Sequence, residues 1–278
     1  MIDYYARVAD LIIPHLKGRP LTLRRFPEGV GKPQTSFFEK NCPKHRPDWV
    51  KTTPIYVDRR AGEIDFCLCE NRPTLIWMAQ LAALELHPSL SRSRRMEQPT
   101  VLAFDLDPGA PAGLAECCGV ALRVRELFGA FGLEGFPKVS GGKGLQVYFP
   151  LNTKVTYEQT SPFAKAVAQL LEKQTPKEVV SKMAKVDRRG KVFVDWSQNH
   201  QKKTTIAVYS LRAREYPTAS IPLHWREVER AAKNKESAER LRFEIPDAIK
   251  RVEKEGDLFE PVLSTRQKLP DLGELETE

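Results

Sequence analysis

Val101-Leu102-Ala103-Phe104-Asp105-Leu106-Asp107-Pro108-Gly109 is the stretch of this 278-residue chain that most constrains its fold. Its apolar run predicts a strand that is buried on both faces. Asp105 and Asp107 are separated by one residue, so their carboxylates would share one face at the C-terminal end of that strand. The proline and glycine that follow end the strand and leave the two acids at a rim.

Two carboxylates this close repel each other unless a cation lies between them. Mg²⁺ and Mn²⁺ prefer oxygen ligands, so the pair Asp105 and Asp107 predicts a divalent metal site. The alternative is structural, with one aspartate starting a turn and the other capping the next helix.

A second apolar run, Val192-Phe193-Val194-Asp195-Trp196, predicts another strand with one acid at its end. Three carboxylates could hold two metal ions, which would stabilise the attacking and leaving oxygens of a phosphoryl transfer. The alternative for Asp195 is an ion pair with Arg188 or Arg189.

Between these strands lies Ser140-Gly141-Gly142-Lys143-Gly144. Its glycines allow backbone amides to turn toward an anion, while Lys143 adds a positive charge and Ser140 a hydroxyl donor. The stretch lacks the spacing of a P-loop. A glycine-rich hairpin turn is the alternative interpretation.

Composition fits a soluble globular protein, with 41% hydrophobic and 29% charged residues and a net charge of +8. The positive charge is concentrated. Residues 17–51 hold nine Lys/Arg against three Asp/Glu, and residues 182–203 hold seven against two. Aromatic residues interleave the first segment, which favours nucleic acid over the alternative of two solvated loops.

No run is long enough to span a membrane, no signal peptide is visible, and the five cysteines predict reduced thiols in a cytosolic protein.

Periodicity predicts an α+β chain with no clear internal boundary. Helices are expected at 3–17, 73–86, 112–131, 156–173 and, with a break at Pro246, 225–255. Strands are expected at 20–26, 53–58, 64–69, 100–107, around 139, and at 144–151, 192–196 and 205–210, with a long loop at 29–48. We therefore predict one domain over residues 1–265, followed by an acidic, flexible tail at 266–278.

The motifs Phe-Asp-Leu-Asp-Pro, Ser-Gly-Gly-Lys-Gly-Leu and Val-Phe-Val-Asp-Trp, in this order, resemble those of the polymerase domain of bacterial DNA ligase D. That family belongs to the archaeo-eukaryotic primase superfamily, and the resemblance runs from about Asp3 to Val228. It implies a primase fold, in which mixed and antiparallel sheets flanked by helices surround a catalytic cleft. It also implies primer-template-dependent nucleotide addition at gapped or broken DNA ends in non-homologous end joining, often with ribonucleotides and Mn²⁺.

Carried over residue by residue, the resemblance assigns two metal ions, Mn²⁺ or Mg²⁺, to Asp105, Asp107 and Asp195. It assigns the incoming NTP or dNTP to His87, Ser140, Lys143, Gln146, Gln198, Arg212 and Arg24. It assigns DNA to Arg25, Phe37, Phe38 and Lys40. Many members have histidine where this chain has Gln146, which offers only neutral hydrogen bonds.

The chain has no Lys-x-Asp-Gly adenylation motif, so the expected protein is a polymerase beside a separate DNA ligase and a Ku-like end binder, cytoplasmic and associated with the nucleoid. The resemblance starts at the first helix, and the family's preceding lysines, implicated in 5′-phosphate binding, would lie before residue 1. Either this member has a reduced N-terminus or the sequence start is truncated. Two alternatives stay open: a primer-independent primase, and a catalytically silent module that bridges DNA ends.

Overall fold

The strand predicted from the opening stretch lies near the centre of a five-stranded sheet in the computed structural model, which describes residues 1–271 and 273. The helices are α1 (Ile2–Leu16), α2 (Arg72–Gln80), α3 (Leu114–Ala130), α4 (Tyr157–Gln174), α5 (Trp225–Lys233), α6 (Lys235–Glu239), α7 (Ile245–Glu255) and α8 (Pro261–Ser264). The strands are β1 (Leu21–Arg25), β2 (Phe37–Glu39), β3 (Thr52–Asp58), β4 (Gly62–Cys67), β5 (Ala83–Pro88), β6 (Val101–Pro108), β7 (Phe136–Val139), β8 (Leu145–Pro150), β9 (Val179–Val180), β10 (Val192–Asp195), β11 (Leu211–Arg212) and β12 (Thr218–Ala219). Six residues of the predicted acidic tail, 272 and 274–278, lie outside the described residues.

The central sheet has the order β7-β8-β6-β10-β9, and its strands are antiparallel except for the parallel pair β9 and β10. Phe104 of β6 and Phe149 of β8 lie on one face, where they meet Phe128 of α3. The Phe128 and Phe149 rings stack with centroids 3.9 Å apart. Burying these large rings fixes which face of β6 points inward, so Asp105 and Asp107 point to the opposite face.

The second sheet is antiparallel and centres on β1, with β5 on one side and β2 and β4 on the other. Helix α1 anchors to this region through two buried hydroxyls. Tyr5 donates to the Leu84 carbonyl at 2.7 Å, and Tyr4 donates to the Tyr209 carbonyl at 2.9 Å. Strands β11 and β12 form a separate pair. The predicted α+β class is confirmed.

Three predicted elements were wrong, and the first is the long loop expected at 29–48, which contains strand β2. The helix expected to reach residue 86 ends at Gln80, and strand β5 begins at Ala83, because Ala82 has φ +58° and breaks the helical path. The strand expected at 205–210 is irregular, and Tyr209 has φ +63°. The amides of Thr205 and Ala207 nevertheless donate to carbonyls of β5, so this segment closes the edge of the second sheet.

The prediction of reduced thiols is wrong for one pair of cysteines. Cys42 and Cys67 form a disulfide, which joins the long loop before β3 to the end of β4. Cys69, Cys117 and Cys118 are buried free thiols. Among helices of the described residues, none has both the length and the apolar character to cross a membrane.

Candidate active site

Four polar side chains form a row across the central sheet. Lys138 of β7 is paired with Gln146 of β8, Gln146 with Asp105 of β6, and Asp105 with Asp195 of β10. Residues opposite each other in neighbouring strands project to the same face. Asp107 lies two residues beyond Asp105 and joins that face. The sheet register therefore brings together the three acids that the sequence singled out.

The two acids of β6 lie in surroundings that disfavour their charged forms. Burial first, and the charge of Asp107 second, raise the pKa of Asp105, and burial followed by Asp195 raises the pKa of Asp107. Oxygen Oδ1 of Asp105 is buried and accepts no hydrogen bond from any described residue. A buried carboxylate oxygen without a donor is costly, and a divalent cation would offset that cost. These residues therefore fit a metal.

Asp195 is oriented by the turn that follows it. Its Oδ1 accepts hydrogen bonds from the Ser197 amide at 2.9 Å and hydroxyl at 2.6 Å, and its Oδ2 accepts one from Gln198 Nε2 at 2.8 Å. Oδ2 accepts only one of these three hydrogen bonds, so its second lone-pair site keeps acceptor capacity for a cation. In this conformation, no three acidic, histidine or cysteine side chains of the described residues stand close enough to enclose a metal.

Lys138, at the β7 end of the row, was not predicted from the sequence and holds the side chain of Gln146. Its side chain is fully buried, and its Nζ donates to Gln146 Oε1 at 2.5 Å, the Ser220 hydroxyl at 2.8 Å and the Ile206 carbonyl at 3.0 Å. Burial lowers the pKa of Lys138 to about 7. Because the Gln146 carbonyl oxygen is engaged by Lys138, the amide nitrogen of Gln146 is the end that donates to Asp105, and this hydrogen bond opposes the rise in the pKa of Asp105.

The glycine loop packs tightly against the end of β6. A Cβ on Gly144 would lie 2.1 Å from the Leu106 carbonyl oxygen, so this close approach requires glycine. The Ser140 hydroxyl donates to the Gly144 carbonyl and accepts from the Gly142 amide, each at 3.1 Å. Lys143 is exposed at the rim. The loop thus presents a cation beside the carboxylates, in the arrangement expected for a bound triphosphate.

Glu85 is a second residue that the sequence argument missed. It is 1% exposed, and its carboxylate lies 3.0 Å from His87 Nε2, 3.3 Å from Arg212 Nη1 and 3.6 Å from Arg24 Nη1. The Ala213 amide also donates to it at 3.0 Å. Burial alone would raise the pKa of Glu85, but the hydrogen bond with His87 and the charge of Arg212 lower it to about 2. One buried anion therefore holds three of the predicted nucleotide-binding side chains.

The predicted DNA-binding residues lie on the edge strand β2 and beside it. Phe37 and Phe38 are 42% and 59% exposed, and the guanidiniums of Arg25 and Arg24 lie 5.3 Å from their respective ring centroids. Arg25 also bonds to Glu39 at 3.1 Å and to the Leu81 carbonyl at 2.7 Å. Lys40 is exposed and lines a neighbouring groove. Exposed aromatics beside cations suit base stacking.

A cleft of about 430 Å³ gathers most of the predicted site residues. Its walls include Phe38, His87, Asp105, Asp107, Ser140, Lys143, Gln146, Gln198 and Arg212. Arg24, Arg25, Phe37 and Lys40 lie outside these walls, and Asp195 adjoins them through its register with Asp105. Arg214, Thr204, Thr205 and Ile206 line the cleft without having been predicted. The Arg-x-Arg spacing of Arg212 and Arg214 was the available signal for Arg214.

Comparison with known proteins agrees with a nucleotidyl-transferring site on a primase-type fold. The family model described as "LigD, primase-polymerase domain" matches residues 1–259, and the chain belongs to this family, whose members are nucleotidyltransferases. The chain is 40% identical over 270 residues to the multifunctional non-homologous end joining DNA repair protein LigD of Mycobacterium tuberculosis. It is 33% identical over 261 residues to the bifunctional non-homologous end joining protein LigD of Bacillus subtilis.

These alignments cover 94% and 93% of this chain but 34% and 40% of the relatives, so the chain spans about a third of their length. A solved structure, the polymerase domain from Mycobacterium tuberculosis ligase D in complex with DNA, matches with a TM-score of 0.85 and 38% identity. That match covers 96% of this chain and 92% of the solved chain. The predicted family and fold are confirmed.

Proposed function

We propose that this chain extends a primer 3′-hydroxyl on a DNA template, filling or extending gapped and broken ends in non-homologous end joining. The observation that carries the proposal is the register that sets Asp105 opposite Asp195, with Asp107 on the same face, in the cleft beneath the glycine loop. Nothing in a purely DNA-bridging role requires three acids on one face of a cleft. The DNA in the related solved structure supports the same reading.

In the proposed reaction, the primer 3′-oxygen forms a bond to the α-phosphorus of the bound nucleotide. The bond between that phosphorus and the bridging oxygen breaks, and pyrophosphate leaves. Two divalent ions, Mn²⁺ or Mg²⁺, held by Asp105, Asp107 and Asp195, would lower the pKa of the hydroxyl and offset charge on the leaving group.

The remaining residues bind and orient the substrates. Lys143 and Arg212 would contact the triphosphate as cations, and Ser140 as a hydroxyl donor. His87, Gln146 and Gln198 would also face the nucleotide, with Gln146 held by Lys138. Phe37 and Phe38 would stack near the templating base, while Arg24, Arg25 and Lys40 would lie near the template strand. Glu85 keeps Arg24, Arg212 and His87 in place before substrate enters.

The relatives' names state non-homologous end joining alone, and the finer points of the wider role rest on the resemblance in the motifs. We propose that the chain works in the cytoplasm, at the nucleoid, with a Ku-like end binder and a DNA ligase. NTPs are the proposed substrates over dNTPs, and Mn²⁺ the proposed metal over Mg²⁺.

The test is extension of a labelled primer on a gapped template, with each metal and each nucleotide type, by the wild type and by Asp105→Ala/Asp107→Ala. We expect templated addition by the wild type, with NTPs and Mn²⁺ fastest, and none by the variant, whose DNA affinity should persist. Addition by the variant at the wild-type rate would refute the metal assignment. Binding without addition by the wild type would refute the polymerase proposal.

A further inference from the structure

A cavity of about 690 Å³ lies away from the catalytic cleft and shares no lining residue with it. We name it the basic cavity. Its cations come from separate chain segments: Lys17, Lys51, Lys154, Arg266 and the turn 92–95, which carries three arginines. Glu70 is the acid of its lining, and the carboxylate of Glu70 already accepts a hydrogen bond from the Gly18 amide at 2.8 Å. The cavity therefore has a large unbalanced positive charge.

The backbone holds these cations close together despite their repulsion. The Ser93 amide donates to the Gly18 carbonyl at 2.7 Å, which ties the arginine turn to the segment after α1. The Asn152 side chain donates to the Thr265 carbonyl at 2.7 Å, and the Asn152 amide donates to the Thr100 carbonyl at 3.0 Å. The cations thus lie on a preformed frame, and an anion would bind without the cost of assembling them.

The charges of the basic cavity have no acidic partners within the described residues. None of its lysines and arginines forms a salt bridge there, whereas exposed arginines elsewhere, such as Arg72 and Arg240, pair with carboxylates. Burial first and the nearby Arg92 second lower the pKa of Arg19 to about 10, so cations in this region already oppose one another. Such a cluster destabilises the free chain and is relieved by a polyanion.

A groove of about 430 Å³ adjoins the catalytic cleft and extends to the residue that follows the arginine turn. Its walls share Thr204 with the cleft, and its Met96 directly follows the arginine turn in the chain. The groove carries Lys40, Lys202 and Lys203 together with Tyr56, which is 61% exposed. A cationic groove with an exposed aromatic is what a nucleic-acid strand needs for backbone and base contacts.

We propose that the basic cavity is a second phosphate-binding site, which holds the phosphodiester backbone of a DNA strand that leaves the catalytic cleft through this groove. The inference rests on the proposed function, because it takes the ligand of the cleft to be DNA. The basic cavity would add a DNA contact remote from the nucleotide. It should therefore raise the affinity for long DNA and steepen the salt dependence of that affinity. A site confined to the cleft would show no such length dependence.

The test compares Arg92→Gln/Arg94→Gln/Arg95→Gln with a control of equal charge change, Lys173→Gln/Lys177→Gln/Lys250→Gln. All six side chains are exposed and form no salt bridge among the described residues, so both variants should fold. DNA affinity is measured by fluorescence anisotropy, without nucleotide, on primer-templates lengthened stepwise on either side of the primer terminus. The wild type and the control should gain affinity once the DNA reaches the basic cavity.

The arginine variant should lack that gain, and its slope of log affinity against log salt should be smaller by about two to three on long DNA, at roughly 0.7 to 0.9 per lost phosphate contact. An equal gain and slope in the arginine variant and the control would overturn the proposal. Primer extension by the wild type is scored separately. If the wild type does not extend the primer, and the arginine variant still loses the length-dependent gain in affinity, the polymerase proposal is refuted and the second phosphate-binding site is supported.

Discussion

Glu85 is a single buried carboxylate on which His87, Arg212 and Arg24 converge. Its position could not be predicted from the sequence once residues 73–86 were taken as a helix. Residues two apart lie on different faces of a helix but on the same face of a strand. In β5, Glu85 and His87 therefore meet, with 3.0 Å between Oε2 and Nε2.

The charge of Glu85 predicts a pH dependence of stability. Its pKa is lowered in the folded chain from 4.5 to about 2, so its contribution is fully present above about pH 4.5 and is lost as pH falls through 2. At about 1.36 kcal/mol per pKa unit, that contribution is about 3 kcal/mol at pH 7. Urea unfolding should show Glu85→Gln less stable than wild type at pH 7, with the gap about 2 kcal/mol smaller at pH 3. An equal gap at both pH values would contradict the assigned pKa.

At the scale of elements, strands β6 and β10, which carry the three aspartates, were predictable from the sequence, and strand β5, which carries Glu85, was not. The runs ending in Asp107 and Asp195 are apolar, short and bounded by turn residues, which favours strands over helices. The run through Leu84 and Leu86 is interrupted by Glu85 and His87 and directly continues a helical segment. The break between them depends on a left-handed backbone at Ala82, which no local pattern signals.

The glycine loop is an element whose shape depends on one close approach. In Gly144→Ala, the added Cβ would lie 2.1 Å from the backbone oxygen of Leu106, so the loop must move away from the end of β6. We expect about 1–3 kcal/mol of lost stability and a higher KM for nucleotide, measured by urea unfolding and primer extension. Gly129→Ala is the matched control, because a Cβ there meets nothing within 4 Å in α3 and should leave stability unchanged or slightly raised. A normal KM in Gly144→Ala would remove the loop from the nucleotide site.

Across the whole molecule, the charge pattern of the sequence predicts a phosphate-binding surface without showing its layout. Lys17 and Lys51 were counted in the first basic segment, yet they lie in the basic cavity and not in the cleft. Arg94 and Lys154 lie outside both basic segments and reach that cavity only through the fold. Charge counted along the chain finds segments, whereas a surface is assembled from segments that the topology brings together.

Asp105, Asp107 and Asp195, which lie together on one face of the central sheet, are proposed to hold the metal ions for template-directed nucleotide addition. The most direct test of this proposal is addition of a single nucleotide to primer-templates that differ only in the templating base, by the wild type and by Asp195→Asn, with DNA affinity measured in parallel. Loss of a metal ligand should cost more than the roughly 10- to 100-fold typical of residues behind the ligands. We predict that the wild type adds the complementary nucleotide to each template, and that Asp195→Asn binds DNA normally but adds nucleotide at least about a hundredfold more slowly. Addition that ignores the template, or that persists at the wild-type rate in Asp195→Asn, would contradict the account.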